Sequence, residues 1–218
     1  MRLPREEYNH FLKAVFFSIV IALLLATFVA IYGKDKSFLM VNGHYSVEAD
    51  YFFNWMTFLG EWLLWVPLFV YALFYKRDFL IAAFVALALC SLITFLFKQV
   101  VFPGQPRPLR LLHDLARVVP VVKHNNYVNS FPSGHTSTAF TTSLLLAFIV
   151  HRKWAPYVFP LIAFLVGYSR VYLAQHFVTD VLAGIFVGIV SSYCALLVYE
   201  RFQKKKATVG RDSSPKDV

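Results

Sequence analysis

Six long apolar runs dominate this sequence and decide what it can fold into. An α-helix needs about 20 mostly apolar residues to cross a bilayer, and the runs that approach this length are 11–32, 55–75, 79–102, 136–150, 155–172 and 177–199. Charged residues make up only 15% of the chain, against about 25% in a soluble domain. We therefore predict an all-α, polytopic membrane protein, a bundle of six transmembrane helices that forms one domain over residues 1–206.

The polar segments complete the predicted organisation. Residues 103–134 carry prolines, asparagines and basic side chains, and we expect them to form an ordered loop over one end of the bundle. Residues 207–218 are polar and are expected to be a disordered tail. The formal net charge is +9, but the basic residues stand in short clusters between apolar runs rather than along one polar face. This pattern argues against a nucleic-acid partner.

The distribution of lysine and arginine predicts the orientation, because short cytoplasmic segments are enriched in both. One side of the predicted bundle carries the larger share: Arg2, Arg5, Lys13, Lys76, Arg77, Arg152, Lys153, Arg201 and Lys204 to Lys206. We expect both termini to lie on that side, in the cytoplasm.

Alternate threading of the six spans brings the remaining unusual polar residues to the opposite, non-cytoplasmic end. These are Lys98, Arg107, the stretch "FPSGH" at 131–135, Arg170, His176 and Asp180. An ionisable group in hydrocarbon costs roughly 2.5 to 3.5 kcal/mol, and charges that only improved solubility would have no reason to converge. Their convergence predicts a functional site.

His176 and Asp180 are four residues apart, so on a helix they would share a face. A carboxylate bonded to one imidazole nitrogen fixes the tautomer and leaves the other nitrogen free as a nucleophile or base. The alternative for this pair alone is a helix-start aspartate beside an interfacial histidine.

The stretch Pro132 to His135 precedes an apolar run and is expected to begin a helix. The first amides of a helix are unpaired and its dipole is positive at that end, so such a terminus binds phosphate. Gly134 would let an oxyanion approach the backbone, Ser133 could donate its hydroxyl, and His135 could supply a proton. The alternative is an ordinary helix cap.

Three cations belong to the same end of the bundle. The guanidinium group of an arginine can donate two hydrogen bonds to two phosphate oxygens at once, as Arg107 and Arg170 could, whereas Lys98 acts as a point charge. Each alone could be a snorkelling or surface charge, but with two histidines and a carboxylate they indicate a phosphate-transfer site. Glu61, near the same end of the second run, could face the site or pair with a basic loop residue, but we expect it to lie at the membrane interface.

Together these residues resemble the three-part signature of the type 2 phosphatidic acid phosphatases, whose superfamily includes the vanadium haloperoxidases. The parts read here as Lys98 with Arg107-Pro108, Pro132-Ser133-Gly134-His135, and Ser169-Arg170 with His176 and Asp180. The second and third parts match without deviation. In the first part, eight residues separate Lys98 from Arg107, more than the family usually has.

The resemblance implies a role for each site residue. His176 would attack phosphorus to give a phosphohistidine, Asp180 would stabilise the imidazolium, and His135 would protonate the leaving group and then activate water. The residues that would hold the phosphoryl oxygens are Lys98, Arg107, Ser133, Gly134 and Arg170. No metal and no cofactor are implied.

The implied function is a metal-independent membrane lipid phosphatase that acts on a phosphomonoester or diphosphate at the non-cytoplasmic leaflet. Candidate substrates are phosphatidylglycerophosphate, undecaprenyl diphosphate, phosphatidic acid and a lipid A phosphate. The implied location is a bacterial inner membrane, with the site facing the periplasm. Two alternatives stay open: a phosphotransferase that uses an acceptor other than water, and a non-catalytic lipid-binding or transport protein.

Overall fold

The computed structural model describes residues 5–122 and 126–212, and these contain helices, turns and loops but no strand. The α-helices are α1 Arg5–Tyr32, α2 Lys34–Asn42, α3 Val47–Phe58, α4 Trp65–Tyr75, α5 Leu80–Leu96, α6 Pro108–Leu111, α7 Gly134–Ile149, α8 Ala155–Tyr172 and α9 Val178–Asp212. Two π-helical turns, Leu59–Leu63 and Phe97–Val101, follow α3 and α5. The prediction of an all-α membrane protein is confirmed.

Within the described residues, three helical segments are long and apolar enough to cross a membrane unaided: Glu6–Tyr32, Arg77–Val101 and Val178–Thr208. A fourth span is possible if Val47–Glu61 and Trp65–Tyr75, bent by 42° at their junction, cross together. The helices α7 and α8 coincide with the fourth and fifth predicted runs but have only 16 and 18 residues. The chain is a multi-pass membrane protein, and the count of six spans stays a prediction.

Helix α7 is the central helix of the bundle, and almost all of its residues are buried against α9, α8, α1 and α5. Its first half is rich in hydroxyl side chains, which must find hydrogen-bond partners away from water. Ser137, Thr141 and Thr142 donate to carbonyls one turn earlier in α7, over 2.7 to 3.0 Å. The helix therefore satisfies these three hydroxyl groups internally, whereas the buried hydroxyl of Ser143 has no hydrogen-bond partner within the described residues.

Two glycines of α9 set how closely it approaches α7. A Cβ atom at Gly188 would lie 2.5 Å from Phe140 Cβ, and one at Gly184 would lie 2.8 Å from Thr136 Cβ. Small residues four apart allow such close backbone packing between membrane helices. This contact brings the start of α9 beside the start of α7, and the amide of Ser133 donates to the carbonyl of Asp180 over 3.0 Å.

Contacts with the helices hold part of the loop that was predicted for residues 103–134 in place. Arg117 forms an ion pair with Asp50 of α3, and its amide donates to Asn42 Oδ1 of α2 over 2.7 Å. Tyr172, at the end of α8, donates its hydroxyl to Asp50 Oδ1 over 2.6 Å. A buried ionic network therefore holds part of this loop against α2, α3 and α8.

The far end of the bundle, where α1 begins and α9 ends, carries a second ionic cluster. Lys76 Nζ lies 2.9 Å from the buried carboxylate of Glu7, which His151 Nε2 also contacts at 3.0 Å. Helix α9 continues to Asp212, past the start of the tail predicted at residue 207. The rest of that tail, residues 213–218, lies outside the described residues.

Candidate active site

His176 lies in the short connection between α8 and α9, whose shape is set by a left-handed residue and by backbone hydrogen bonds. Ala174 adopts a left-handed conformation with φ of 56°, an arrangement that commonly ends a helix. The amides of Gln175 and His176 both donate to the carbonyl of Arg170, over 2.9 and 3.1 Å. The turn thereby places His176 next to the last turn of α8, where it is 1% exposed.

The imidazole of His176 faces the carboxylate of Asp180. The distance from His176 Nδ1 to Asp180 Oδ2 is 3.3 Å, as the four-residue spacing predicted. The same oxygen accepts hydrogen bonds from the Phe177 amide, over 3.0 Å, and from the Ser130 hydroxyl. With Nδ1 directed at the carboxylate, the lone pair of Nε2 is free for another partner.

The first turn of α7 begins directly beside this pair. Ser133 is the N-cap residue: its fully buried hydroxyl oxygen accepts hydrogen bonds from the Thr136 amide and, over 2.8 Å, from the Thr136 hydroxyl. Gly134 is the first residue of the helix. The helix terminus therefore presents unpaired amides and a positive dipole end close to His176.

Lys98 reaches this helix terminus in spite of the long spacing to Arg107. It lies in the π-helical turn Phe97–Val101, a distortion often found at functional sites. A Cβ atom built on Gly134 would lie 3.9 Å from Lys98 Nζ. The additional residues between Lys98 and Arg107 are accommodated in the loop after this turn.

The two arginines enter the same region from different elements. Arg107 Nε donates to the Val128 carbonyl over 2.9 Å, and Nη1 donates to the carbonyl and side-chain oxygens of Gln175 over 3.1 and 3.2 Å. Arg170 Nη1 donates to the Thr57 hydroxyl. Within the described part of the chain, the buried Nε of Arg170 has no hydrogen-bond partner. An oxyanion bound here would supply one.

His135 stands between two cavities. One of about 330 Å³ runs along α5 and is also lined by Lys98 and Gly134. The other, of about 470 Å³, is lined by Arg170, Gln175 and residues of the loop predicted for residues 103–134. Glu61 lines both cavities, and its Oε1 lies 3.5 Å from His135 Nε2. Glu61 therefore faces the site, the alternative to placement at the membrane interface, because the break in the helix turns its side chain toward His135.

Burial tunes the charge state of the site. It lowers the pKa of His176, against the opposing effect of the hydrogen bond to Asp180, so the imidazole is neutral and able to act as a nucleophile. Burial also lowers the pKa of Arg107, while the Asp180 carboxylate raises it. The ordinary pKa of arginine is so high that Arg107 stays charged.

All eight predicted site residues meet at one end of the bundle. They are Lys98, Arg107, Ser133, Gly134, His135, Arg170, His176 and Asp180. The sequence analysis missed Ser130 and Thr57, which contact Asp180 and Arg170, and gave Gln175 no role. Ser130 and Gln175 lie close to the motifs in the sequence, and this is the only sequence signal for them. Thr57 has no sequence signal.

The described residues contain no group of three or more histidine, cysteine, aspartate or glutamate side chains that could hold a metal ion. His124, a further histidine of the predicted loop, lies outside the described residues. The positive charges of the site come from Lys98, Arg107 and Arg170.

Comparisons with known proteins agree with this arrangement. A family model described as the PAP2 superfamily matches residues 79–204, which include all eight site residues. A lipid A 4′-phosphatase of Porphyromonas gingivalis is 27% identical over 168 residues, which cover 74% of this chain and 71% of the relative.

Two solved structures share the fold. The crystal structure of Aquifex aeolicus LpxE is 28% identical with a TM-score of 0.66, over 75% of this chain and 94% of that one. A transmembrane PAP2-type phosphatidylglycerolphosphate phosphatase from Bacillus subtilis is 26% identical with a TM-score of 0.58, over 88% of this chain and 96% of that one.

Proposed function

Because the chain belongs to the PAP2 superfamily, we propose that it is a membrane lipid phosphatase in which His176 attacks the phosphorus of a lipid phosphate. The observation that carries the proposal is the pairing of His176 Nδ1 with Asp180 at 3.3 Å, beside the helix start at Ser133 and Gly134. A protein that only bound phosphate would need the cations and the helix terminus. It would have no need of an imidazole oriented by a carboxylate.

The first step transfers the phosphoryl group to the enzyme. The Nε2 lone pair of His176 forms a bond to phosphorus as the bond from phosphorus to the ester oxygen breaks, and His135 donates a proton to the departing oxygen. The phosphorylated ring carries a positive charge, which the carboxylate of Asp180 stabilises. The products are the dephosphorylated lipid and a phosphohistidine.

The second step releases phosphate. His135, now neutral, removes a proton from water as the water oxygen attacks phosphorus, and the bond to His176 Nε2 breaks. Lys98, Arg107 and Arg170 offset the negative charge that spreads over the phosphoryl oxygens, and the first amides of α7 add hydrogen bonds. These groups supply the cationic charge without a metal ion.

The position of the site suggests the substrate. It lies at one end of a helical bundle with apolar outer faces, where the head group of a lipid can enter while its chains stay in the bilayer. One relative is named a lipid A 4′-phosphatase and one solved structure a phosphatidylglycerolphosphate phosphatase. We therefore propose a lipid phosphomonoester as the substrate. The lysine and arginine bias supports a site on the periplasmic side of a bacterial inner membrane.

Phosphate release by the purified protein in detergent tests the proposal. The substrates are a lipid A phosphate, phosphatidylglycerophosphate, phosphatidic acid and undecaprenyl diphosphate, each measured with a chelator present. Wild-type protein should release phosphate, and folded His176→Ala protein should not. The matched control is His151→Ala, since His151 lies at the far end of the bundle.

Three results would contradict the proposal. Full turnover by His176→Ala would exclude His176 as the nucleophile, and loss of activity in the presence of chelator would exclude metal independence. Release of the dephosphorylated lipid without free phosphate, only when another acceptor is added, would identify a phosphotransferase.

A further inference from the structure

Glu61 is placed at the site by a break in the helix. The backbone of Glu61 has φ of −86° and ψ of −108°, which is not helical, and this residue separates the α3 and α4 segments within the π-helical turn Leu59–Leu63. A regular helix would have continued through this point. The break directs an acidic side chain, which stays 41% exposed, toward His135 at the end of the bundle where the phosphate site lies.

The neighbouring Gly60 fixes the approach of this turn to α7. A Cβ atom at Gly60 would lie 2.8 Å from His135 Cβ and 2.6 Å from Val166 Cγ1, so any larger residue would push the turn away. This close packing keeps Glu61 next to the first turn of α7. Its Oε1 is 3.5 Å from His135 Nε2.

The surroundings of His135 make an acidic neighbour important. Three cations, Lys98, Arg107 and Arg170, face it from the packed elements, as does the titratable ring of His176. The carboxylate of Glu61 faces it from the turn after α3. Cations disfavour the protonated form of a histidine. A histidine that must hold a proton for the leaving group therefore needs a negative partner, and Glu61 is the carboxylate in contact with it.

Building on the proposed function, we propose that Glu61 is a positioning residue for His135. It accepts a hydrogen bond from His135 Nε2, which stabilises the protonated ring and leaves Nδ1–H to donate to the ester oxygen as its bond to phosphorus breaks. Hydrogen bonds of catalytic groups are often long before the substrate binds and shorten afterwards. Glu61 thus orients and stabilises the protonated ring of His135, as Asp180 orients and stabilises the ring of His176.

The dependence of rate on the leaving group tests this role. An alkoxide needs a proton to depart, whereas p-nitrophenolate departs without one. The value of kcat/KM reports only the steps up to departure of the leaving group, so hydrolysis of the phosphohistidine does not affect it. Glu61→Gln should lower kcat/KM for short-chain phosphatidic acid about tenfold or more, a part of the 10²- to 10⁴-fold effect typical of acid catalysis. It should change kcat/KM for p-nitrophenyl phosphate less than about threefold.

Glu48→Gln is the matched control, because Glu48 is an exposed glutamate on α3, and it should behave as wild type. Lys98, Arg107, Arg170 and the first amides of α7 form what we call the phosphate cage. Vanadate, an oxyanion, should inhibit by binding in this cage, and its inhibition should be unchanged in Glu61→Gln. An equal loss of kcat/KM on both substrates, with weaker inhibition by vanadate, would mean that Glu61 supports the phosphate cage itself. That result would overturn the inference. Wild-type values for both substrates in Glu61→Gln would also overturn it. A wild-type protein inactive on both substrates and on the other three lipid substrates would overturn the proposed function itself.

Discussion

Replacing Asp180 with asparagine isolates what the negative charge beside His176 contributes. The two side chains have nearly the same shape, and Asp180 is buried, so the change removes a charge with little change in packing. In the proposed mechanism, the ring of His176 becomes positive as it bonds to phosphorus. The variant therefore loses an attraction that is present in the transition state and absent from the resting enzyme.

The size of this loss follows from the geometry. The separation of His176 Nδ1 and Asp180 Oδ2 is 3.3 Å, and at an effective dielectric constant of about 20 two unit charges at this distance attract by about 5 kcal/mol. Each 1.4 kcal/mol or so of lost transition-state stabilisation is a tenfold loss in rate. Asp180→Asn should therefore lower kcat/KM by about 10³-fold, since the amide retains part of the interaction.

The assay is phosphate release in detergent, with thermal unfolding measured on the same samples. Asp78→Asn is the matched control, since Asp78 pairs with Lys206 at the far end of the bundle. That variant should keep wild-type kcat/KM. A folded Asp180→Asn protein whose kcat/KM lies within tenfold of wild type would refute the role given to the carboxylate.

Two further predictions concern packing and protonation. Gly188→Val should lower the melting temperature in detergent by several degrees, because overpacking costs about 1 to 3 kcal/mol and the new Cβ would meet Phe140 at 2.5 Å; an unchanged melting temperature would contradict the packing of α9 on α7. Because burial lowers the pKa of His176, its ring should stay neutral at pH 6 in a ¹⁵N NMR titration. Protonation at or above the ordinary histidine pKa of about 6.5 would contradict this.

The apolar runs predicted most of the architecture, since the length of a run determines whether a helix can cross the membrane. They also predicted which end of each helix lies near the site, because alternate crossings leave little choice. The convergence of Lys98, Arg107, Arg170, His176 and Asp180 followed from this threading. Motif spacing then indicated that His176 faces Asp180.

The remaining contacts depend on how the helices cross, which no local pattern encodes. Thr57 and Glu61 belong to a segment with no motif. Thr57 contacts Arg170 because α3 packs on α8, and Glu61 reaches His135 because the chain breaks within Leu59–Leu63. Lys98 could be assigned from its motif, but its approach to Gly134 depends on the π-helical turn after α5. Tertiary packing of this kind overrides what a helical pattern predicts for a single segment.

Trapping the phosphorylated enzyme tests the central claim most directly. Wild-type protein would be mixed with a ³²P-labelled lipid phosphate, quenched with alkali within milliseconds, digested and mapped by mass spectrometry. The account predicts an acid-labile, alkali-stable phosphoryl group on the peptide that contains His176, and none in His176→Ala. Rapid turnover with no label on His176 at any quench time, or label on another residue, would contradict it.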